Sequence, residues 1–278
     1  MTFFNKLQPS RLICAHRGFR SHWPENTLSA FKASLGRCHF IELDIQMSKD
    51  AIPMVAHDPT LARTSNASNK QNELGLESLD VENWDAIQLK TLDMGSWFIK
   101  ADPFHTIKEQ KVSVEQLRAE LPQTIMTLEE LLLHPALTTI PLNIEIKNHT
   151  DNKHDKIVVE ETINIIKKTQ SEERVLISSF KHEYLPICKK LAPNIATGAL
   201  QRDYHPTDLI EYLQSLGVAA YHPREDITDR ALITELRAAG FWVNVFTVND
   251  KRRQEELFQQ GATSIITDFP ELKSTLPN

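Results

Sequence analysis

The 278-residue chain carries 31 lysines and arginines against 37 aspartates and glutamates, a net charge of −6, with 24% charged and 41% hydrophobic residues. That composition suits a water-soluble globular protein; it leaves no basic footprint for nucleic acid, and no apolar run approaches the roughly 20 residues that span a bilayer. Only 8 glycines occur, well under the usual share of about 7%, which argues against a glycine-rich phosphate cradle and for an anion site built from side chains.

The first residues, Met1-Thr-Phe-Phe-Asn-Lys, form neither a basic n-region nor an apolar h-region. The three cysteines, Cys14, Cys38 and Cys188, fit no disulfide or zinc spacing. Both features point to a cytoplasmic protein, and Cys14 reads as a buried filler rather than a nucleophile. Strands are predicted at 12–15, 40–46, 53–57, 141–147, 175–179, 196–200, 218–221, 241–247 and 264–267. Between them, helical spacing predicts helices at 27–35, 127–133, 156–168, 183–191, 208–216, 228–239 and 250–259. Thr127 with Glu130, Thr228 and Asp250 are the expected caps, and Gly240 and Gly261 the expected helix ends.

Repeated strand–helix units imply a parallel sheet. Nine strands compete for eight places. Strand 53–57 follows its neighbour too closely for a crossover helix and is therefore accessory. The remaining eight units predict an α/β fold, a TIM (β/α)8 barrel forming one domain over 1–278. Segment 58–126 breaks the rhythm, opening polar and then carrying Trp84, Trp97 and Phe98. It is too long for an ordinary connection and reads as a small subdomain inserted over the barrel's C-terminal mouth.

The informative charges sit at period two. Glu42, Asp44 and Gln46 share one face of strand 40–46, while Ile41, Leu43 and Ile45 share the other. Asn143, Glu145 and Lys147 repeat the pattern against Leu142, Ile144 and Ile146. One such strand could belong to an antiparallel sheet with a wet face. Two in a βα context, with compensating charge, place the polar face inside a barrel near its C-terminal mouth. Glu42, Asp44 and Glu145 sum to −3 and Lys147 adds +1, so one divalent cation closes the balance; all-oxygen ligation indicates Mg²⁺ or Ca²⁺. Strand ends also supply Ala15-His16-Arg17-Gly18 and Ala56-His57-Asp58, an acid/base pair of imidazoles with an arginine clamp for an anion.

With these residues in place, the chain resembles the glycerophosphodiester phosphodiesterase (GDPD) family. The likeness runs through His16-Arg17-Gly18, Pro24-Glu-Asn-Thr27, Glu42-Leu-Asp44, Val55-Ala-His57-Asp58, Leu92-Asp-Met-Gly-Ser-Trp97, Glu145-Ile-Lys147, Val245-Phe-Thr-Val-Asn249 and Thr267-Asp268-Phe-Pro270. It covers the chain in order from Leu12 to Leu272. The resemblance implies metal-dependent hydrolysis of glycerophosphodiesters to sn-glycerol 3-phosphate and an alcohol. It assigns Glu42, Asp44 and Glu145 to the cation, His16 and His57 to acid–base catalysis, and Arg17 and Lys147 to the phosphate. Phe246 and Trp97 would lie on the substrate side. Two departures stand out: the family's common Asp-Gly turn is Asp50-Ala51 here, and Phe246 stands where an aromatic, often Trp, is usual. The partner expected is a small-molecule substrate, with no nucleic acid and no integral membrane segment, and a homodimer stays open. The rival readings are a lysophospholipase D-like enzyme that stops at a cyclic phosphate and a non-catalytic barrel that binds phosphate esters. Loss of one of the five site carboxylates and histidines would favour the last, and all five are present.

Overall fold

The structure is a computed structural model that describes residues 3–7, 11–149 and 152–270. Its sheet has nine strands: β1 (Leu12–His16), β2 (Phe40–Met47), β3 (Pro53–Val55), β4 (Leu142–Ile146), β5 (Val175–Ser179), β6 (Ala196–Gln201), β7 (Ala220–Pro223), β8 (Trp242–Val245) and β9 (Ser264–Thr267). The order β1-β9-β8-β7-β6-β5-β4-β2, closed by β1 pairing with β2, is an eight-stranded parallel barrel. The accessory strand is β3, which pairs antiparallel with β2, Ile45 opposite Val55. Among the longer crossover helices are Asn152–Lys168, Tyr184–Leu191, Arg230–Ala238 and Lys251–Gln259. Thr127 and Glu130 form the expected capping box on helix Leu128–Leu133, and Asp250 caps Lys251–Gln259. The cap of Arg230–Ala238 is Asp229, which accepts from Leu232 N, rather than Thr228.

The period-two pattern sorts the barrel strands as expected. Ile41, Leu43, Ile45, Ile144 and Ile146 belong to the largest apolar cluster, packed with helix residues such as Val158, Ile163 and Leu185. The other face turns inward. Its lower half is apolar: Leu12, Cys14, Phe40, Leu176 and Ile266 cluster with Phe3 and Phe4. Those two phenylalanines come from a short helix, Phe3–Leu7, that plugs the N-terminal end. Phe3 meets Phe40 edge-on at 5.5 Å, and Phe4 stacks on Trp242 at 3.9 Å. All three cysteines are buried thiols, and burial pushes the Cys14 thiol well up.

Higher in the barrel the lining becomes polar. His222 is fully buried, its Nε2 2.9 Å from Asn244 Nδ2. Gly198 makes room for the ring, since a Cβ there would lie 2.5 Å from His222 Nε2. Segment 58–126 folds as short helices, including Ala67–Glu73, Ala86–Leu89, Ser96–Ala101 and Val114–Ala119. Trp84, Leu89 and Leu92 give it an apolar cluster shared with Met54 and Ala56. It abuts the loop after β1, where Thr106 Oγ1 donates to Ser21 O at 2.7 Å, and the segment after β9, where Phe104 meets Phe269 at 5.6 Å.

Candidate active site

Strand register brings the charges together. His16 lies opposite Glu42 across β1–β2, and Asp44 opposite Glu145 across β2–β4. Parallel strands present equivalent ends to the same mouth. There, a cleft of about 140 Å³ is lined by His16, Arg17, Glu42, His57, Glu145 and Lys147, with Phe180, Arg202 and Phe246 on its far wall.

Glu42, Asp44 and Glu145 are buried, and one oxygen from each lies within 4.8 Å of the others. Burial and the neighbouring charges of Asp44 and Glu145 raise the Glu42 carboxyl well above its ordinary value. Burial also raises Glu145, against the nearby Lys147 charge. Asp44 goes the other way: against burial, Lys147 and Arg17 hold it well below the usual range. Lys147 Nζ sits 2.6 Å from Asp44 Oδ1 and 2.5 Å from Glu145 Oε1. Glu42 Oε2 accepts from Arg17 N at 3.0 Å, whereas the buried Oε1 has no hydrogen-bond partner. A buried acceptor without a donor is costly, and three clustered carboxylates with one lysine leave an excess of negative charge. This donor set fits a hard divalent cation.

Each histidine is backed by an aspartate. His16 Nδ1 lies 2.7 Å from Asp268 Oδ1, and His57 Nδ1 lies 2.6 Å from Asp58 Oδ1. With Nδ1 donating to a carboxylate, the Nε2 lone pair is left for chemistry. Burial and the Arg17 charge push His16 down to about 4, so its ring is neutral at pH 7. Against burial, His16 and Arg20 lower Asp268 to about 2.

Behind both pairs stands Glu25, which the sequence placed in a motif without a role. It accepts from Arg17 Nη1 at 2.8 Å, from Arg20 Nη2 at 2.8 Å and from Arg63 Nη1 and Nη2 at 2.9 and 2.7 Å. Arg20 Nη1 reaches Asp268 Oδ1 at 3.3 Å, and Arg63 Nε reaches Asp58 Oδ2 at 2.7 Å. One carboxylate therefore braces both His–Asp pairs. Against burial, these guanidinium contacts hold Glu25 well below the usual carboxylate range.

Of the residues singled out in the sequence, His16, His57, Arg17, Glu42, Glu145, Lys147 and Phe246 all line the cleft, and Asp44 lies beneath it against Lys147. Trp97 is not among the lining residues. It sits one layer out, donating Nε1 to Met94 O at 3.0 Å, with Arg63 5.7 Å over its ring. Arg17 and Lys147 are less free than the resemblance implied. Arg17 pairs with Glu25 and, through Nε at 3.3 Å, with Asp44 Oδ2, and Lys147 lies between two carboxylates. Sequence reasoning gave no role to Asp268, Glu25, Arg20, Arg63 or Arg202. Glu25 and Asp268 did leave a signal, each standing in a quoted motif, and Asp268 is also a charged residue directly after an apolar strand.

Fold and site define a class: a (β/α)8 barrel enzyme with paired imidazoles over an acidic cation cradle at its C-terminal mouth. Residues 16–272 match the model of the glycerophosphoryl diester phosphodiesterase family, and the chain belongs to that family as a phosphoric diester hydrolase. Residues 271 and 272 of that span lie outside the described residues. A glycerophosphodiester phosphodiesterase of Bacillus altitudinis is 31% identical over 93% of this chain and 95% of its own. One from Caldanaerobacter subterraneus is 31% identical over 94% and 95%. The structure of an Oleispira antarctica phosphodiesterase in complex with its product sn-glycerol-3-phosphate superposes with a TM-score of 0.79, at 25% identity, covering 99% of this chain and 98% of that one.

Proposed function

We propose that the chain hydrolyses glycerophosphodiesters to sn-glycerol 3-phosphate and an alcohol at the His16/His57 mouth. The whole of 1–278 would act as one barrel unit, with 58–126 as a buttress. One observation carries the reading: two aspartate-backed imidazoles converge on a cleft that also holds a three-carboxylate cluster with an unsatisfied buried oxygen.

Glu42, Asp44 and Glu145 would hold a divalent cation, Mg²⁺ or Ca²⁺, which when bound supplies charge compensation for the phosphodiester. Lys147, fixed between Asp44 and Glu145, offers a remaining donor face to a phosphate oxygen. Arg17, braced by Glu25, adds positive potential beside it. One imidazole Nε2 takes the proton of the glycerol 2-hydroxyl as its oxygen bonds phosphorus. The other imidazole, entering the step protonated on both nitrogens, delivers its Nε2 proton to the alcohol oxygen as the bond from that oxygen to phosphorus breaks. Water then opens the cyclic phosphate with the proton transfers reversed. The test is release of glycerol 3-phosphate from glycerophosphoglycerol with Mg²⁺ or Ca²⁺; no release with either ion, or from any other glycerophosphodiester, defeats the proposal. Carrying out the reaction in ¹⁸O-water while trapping the cyclic phosphate separates the two-step route from direct attack by water.

A further inference from the structure

We infer that the far wall of the cleft reads the leaving alcohol by charge, with Arg202 selecting alcohols that carry an anionic group, a carboxylate or a phosphate, over cationic ones. The inference rests on the activity proposed above. In the closed strand order, β6 lies four strands from β1 in either direction, so the loop that follows it faces His16 and Arg17 across the mouth. Arg202 comes directly after β6 and lines the same cleft as both histidines.

The phosphate is drawn to the opposite side, where the carboxylate cluster, Lys147 and the imidazoles lie. The glycerol arm has to keep its 2-hydroxyl beside an imidazole, which leaves the β5–β8 wall to the other substituent. That wall is Phe180, Leu200, Arg202, Phe246 and Thr247. Its two aromatic rings stand edge to face at 5.8 Å.

Such a pair of rings would suit a quaternary ammonium if a face were open to it. Here the Arg202 guanidinium lies 4.9 Å over the Phe180 ring, so a cation already holds that face. The nearby arginines are neutralised: Arg224 pairs with Asp226, and Arg253 lies 3.7 Å from Glu225. Among the described residues, no carboxylate pairs with Arg202. A guanidinium steadied on an aromatic face and left without a counter-ion is a receptor for carboxylate or phosphate. A choline group in the same place would meet a like charge.

The experiment measures kcat/KM for four glycerophosphodiesters that differ in the alcohol. They are glycerophosphocholine (cationic), glycerophosphoglycerol (neutral), the diester of glycerol phosphate (phosphate-bearing) and that of 3-hydroxypropionate (carboxylate-bearing). Each value is taken as a ratio to the neutral compound. A partly screened charge contact corresponds to about 3- to 10-fold per substrate, so the wild type should favour the anionic alcohols over choline by about 10-fold or more. Arg202→Lys should keep that preference, Arg202→Gln should erase it, and Arg202→Glu should reverse it. The two anionic compounds distinguish phosphate from carboxylate as the better-read group. Cleavage of the neutral diester with choline equal or preferred overturns the inference and leaves the proposed activity standing. So does a loss in Arg202→Glu that is the same for all four, since it would place Arg202 on the phosphodiester itself. If none of the four is cleaved by the wild type, the proposed activity falls and the inference falls with it.

Discussion

Replacing Asp268 by Asn keeps the shape of the side chain behind His16 and removes its charge. The surroundings decide which way the new amide points. Asn249 Nδ2 donates to Asp268 Oδ2 at 2.7 Å, and Asn249 cannot turn over because its Oδ1 accepts from Asp268 N at 2.9 Å and from Thr267 Oγ1 at 3.1 Å. The 2.7 Å contact from Asn249 outweighs the longer 3.3 Å one from Arg20 Nη1 to Oδ1, so the Asn oxygen takes the Oδ2 place and its NH₂ faces His16 Nδ1, where Oδ1 stood at 2.7 Å. His16 Nδ1 then has to accept, the ring proton moves to Nε2, and the Nε2 lone pair that His16 needs for proton transfer is lost in the wrong tautomer. A carboxylate-to-amide change behind a catalytic imidazole costs about 10⁴-fold in kcat, which is roughly 5 kcal/mol of barrier at about 1.36 kcal/mol per decade. We expect a loss of about 10³- to 10⁴-fold in kcat with little change in KM. The assay is steady-state release of glycerol 3-phosphate at fixed metal, with thermal unfolding as the check on folding. A folded Asp268→Asn enzyme within about tenfold of wild-type kcat would refute the assignment of His16 and its tautomer.

Three further outcomes are expected. Mg²⁺ or Ca²⁺ at about 100 times its Kd should stabilise the wild type by about 2.7 kcal/mol; that rise in melting temperature should disappear in Glu42→Gln, and an unchanged rise would remove Glu42 from the cation site. Ala51 adopts φ +63° in the turn where the family commonly has glycine; Ala51→Gly should relieve left-handed strain and stabilise by about 0.5–1 kcal/mol in urea unfolding, and destabilisation would show that the Ala51 methyl packing outweighs it. Burial pushes His222 down to about 3, below its ordinary value of about 6.5. The unfolded chain therefore binds more protons between those two values, and stability should fall as pH drops through that window. One group contributes a slope of at most about 1.36 kcal/mol per pH unit, so His222→Gln should flatten the wild-type curve between pH 6.5 and 4.5. Parallel curves would contradict a neutral buried ring.

Period-two patterning was the most legible feature, because a barrel strand has only two faces and a charged inner face stands out against Ile and Leu. It located Glu42, Asp44 and Glu145, and the short gap before 53–57 identified β3 as accessory. Helix ends were legible where side-chain caps act locally, as at Thr127. The bracing of the histidines was not, because it is long-range: Asp268 meets His16 across 252 positions of sequence. Glu25 draws its three arginines from both the β1 loop and the inserted segment, a convergence that no local spacing encodes. The plug helix escaped for a different reason, since five residues are too few to display a period. Trp97, expected on the substrate side from its motif, stands one layer behind the cleft lining with Arg63 over its ring.

The Phe3–Leu7 plug also has a kinetic consequence. With the lower barrel filled by Phe3, Phe4 and their neighbours, the cleft is a cul-de-sac, and everything that enters must leave by the same doorway. In the arrangement proposed above, the alcohol would sit toward that doorway on the Arg202 wall and the phosphate product deeper, against Lys147. Release would then be ordered, alcohol first and glycerol 3-phosphate last, with glycerol 3-phosphate expected to inhibit competitively with substrate and the alcohol not.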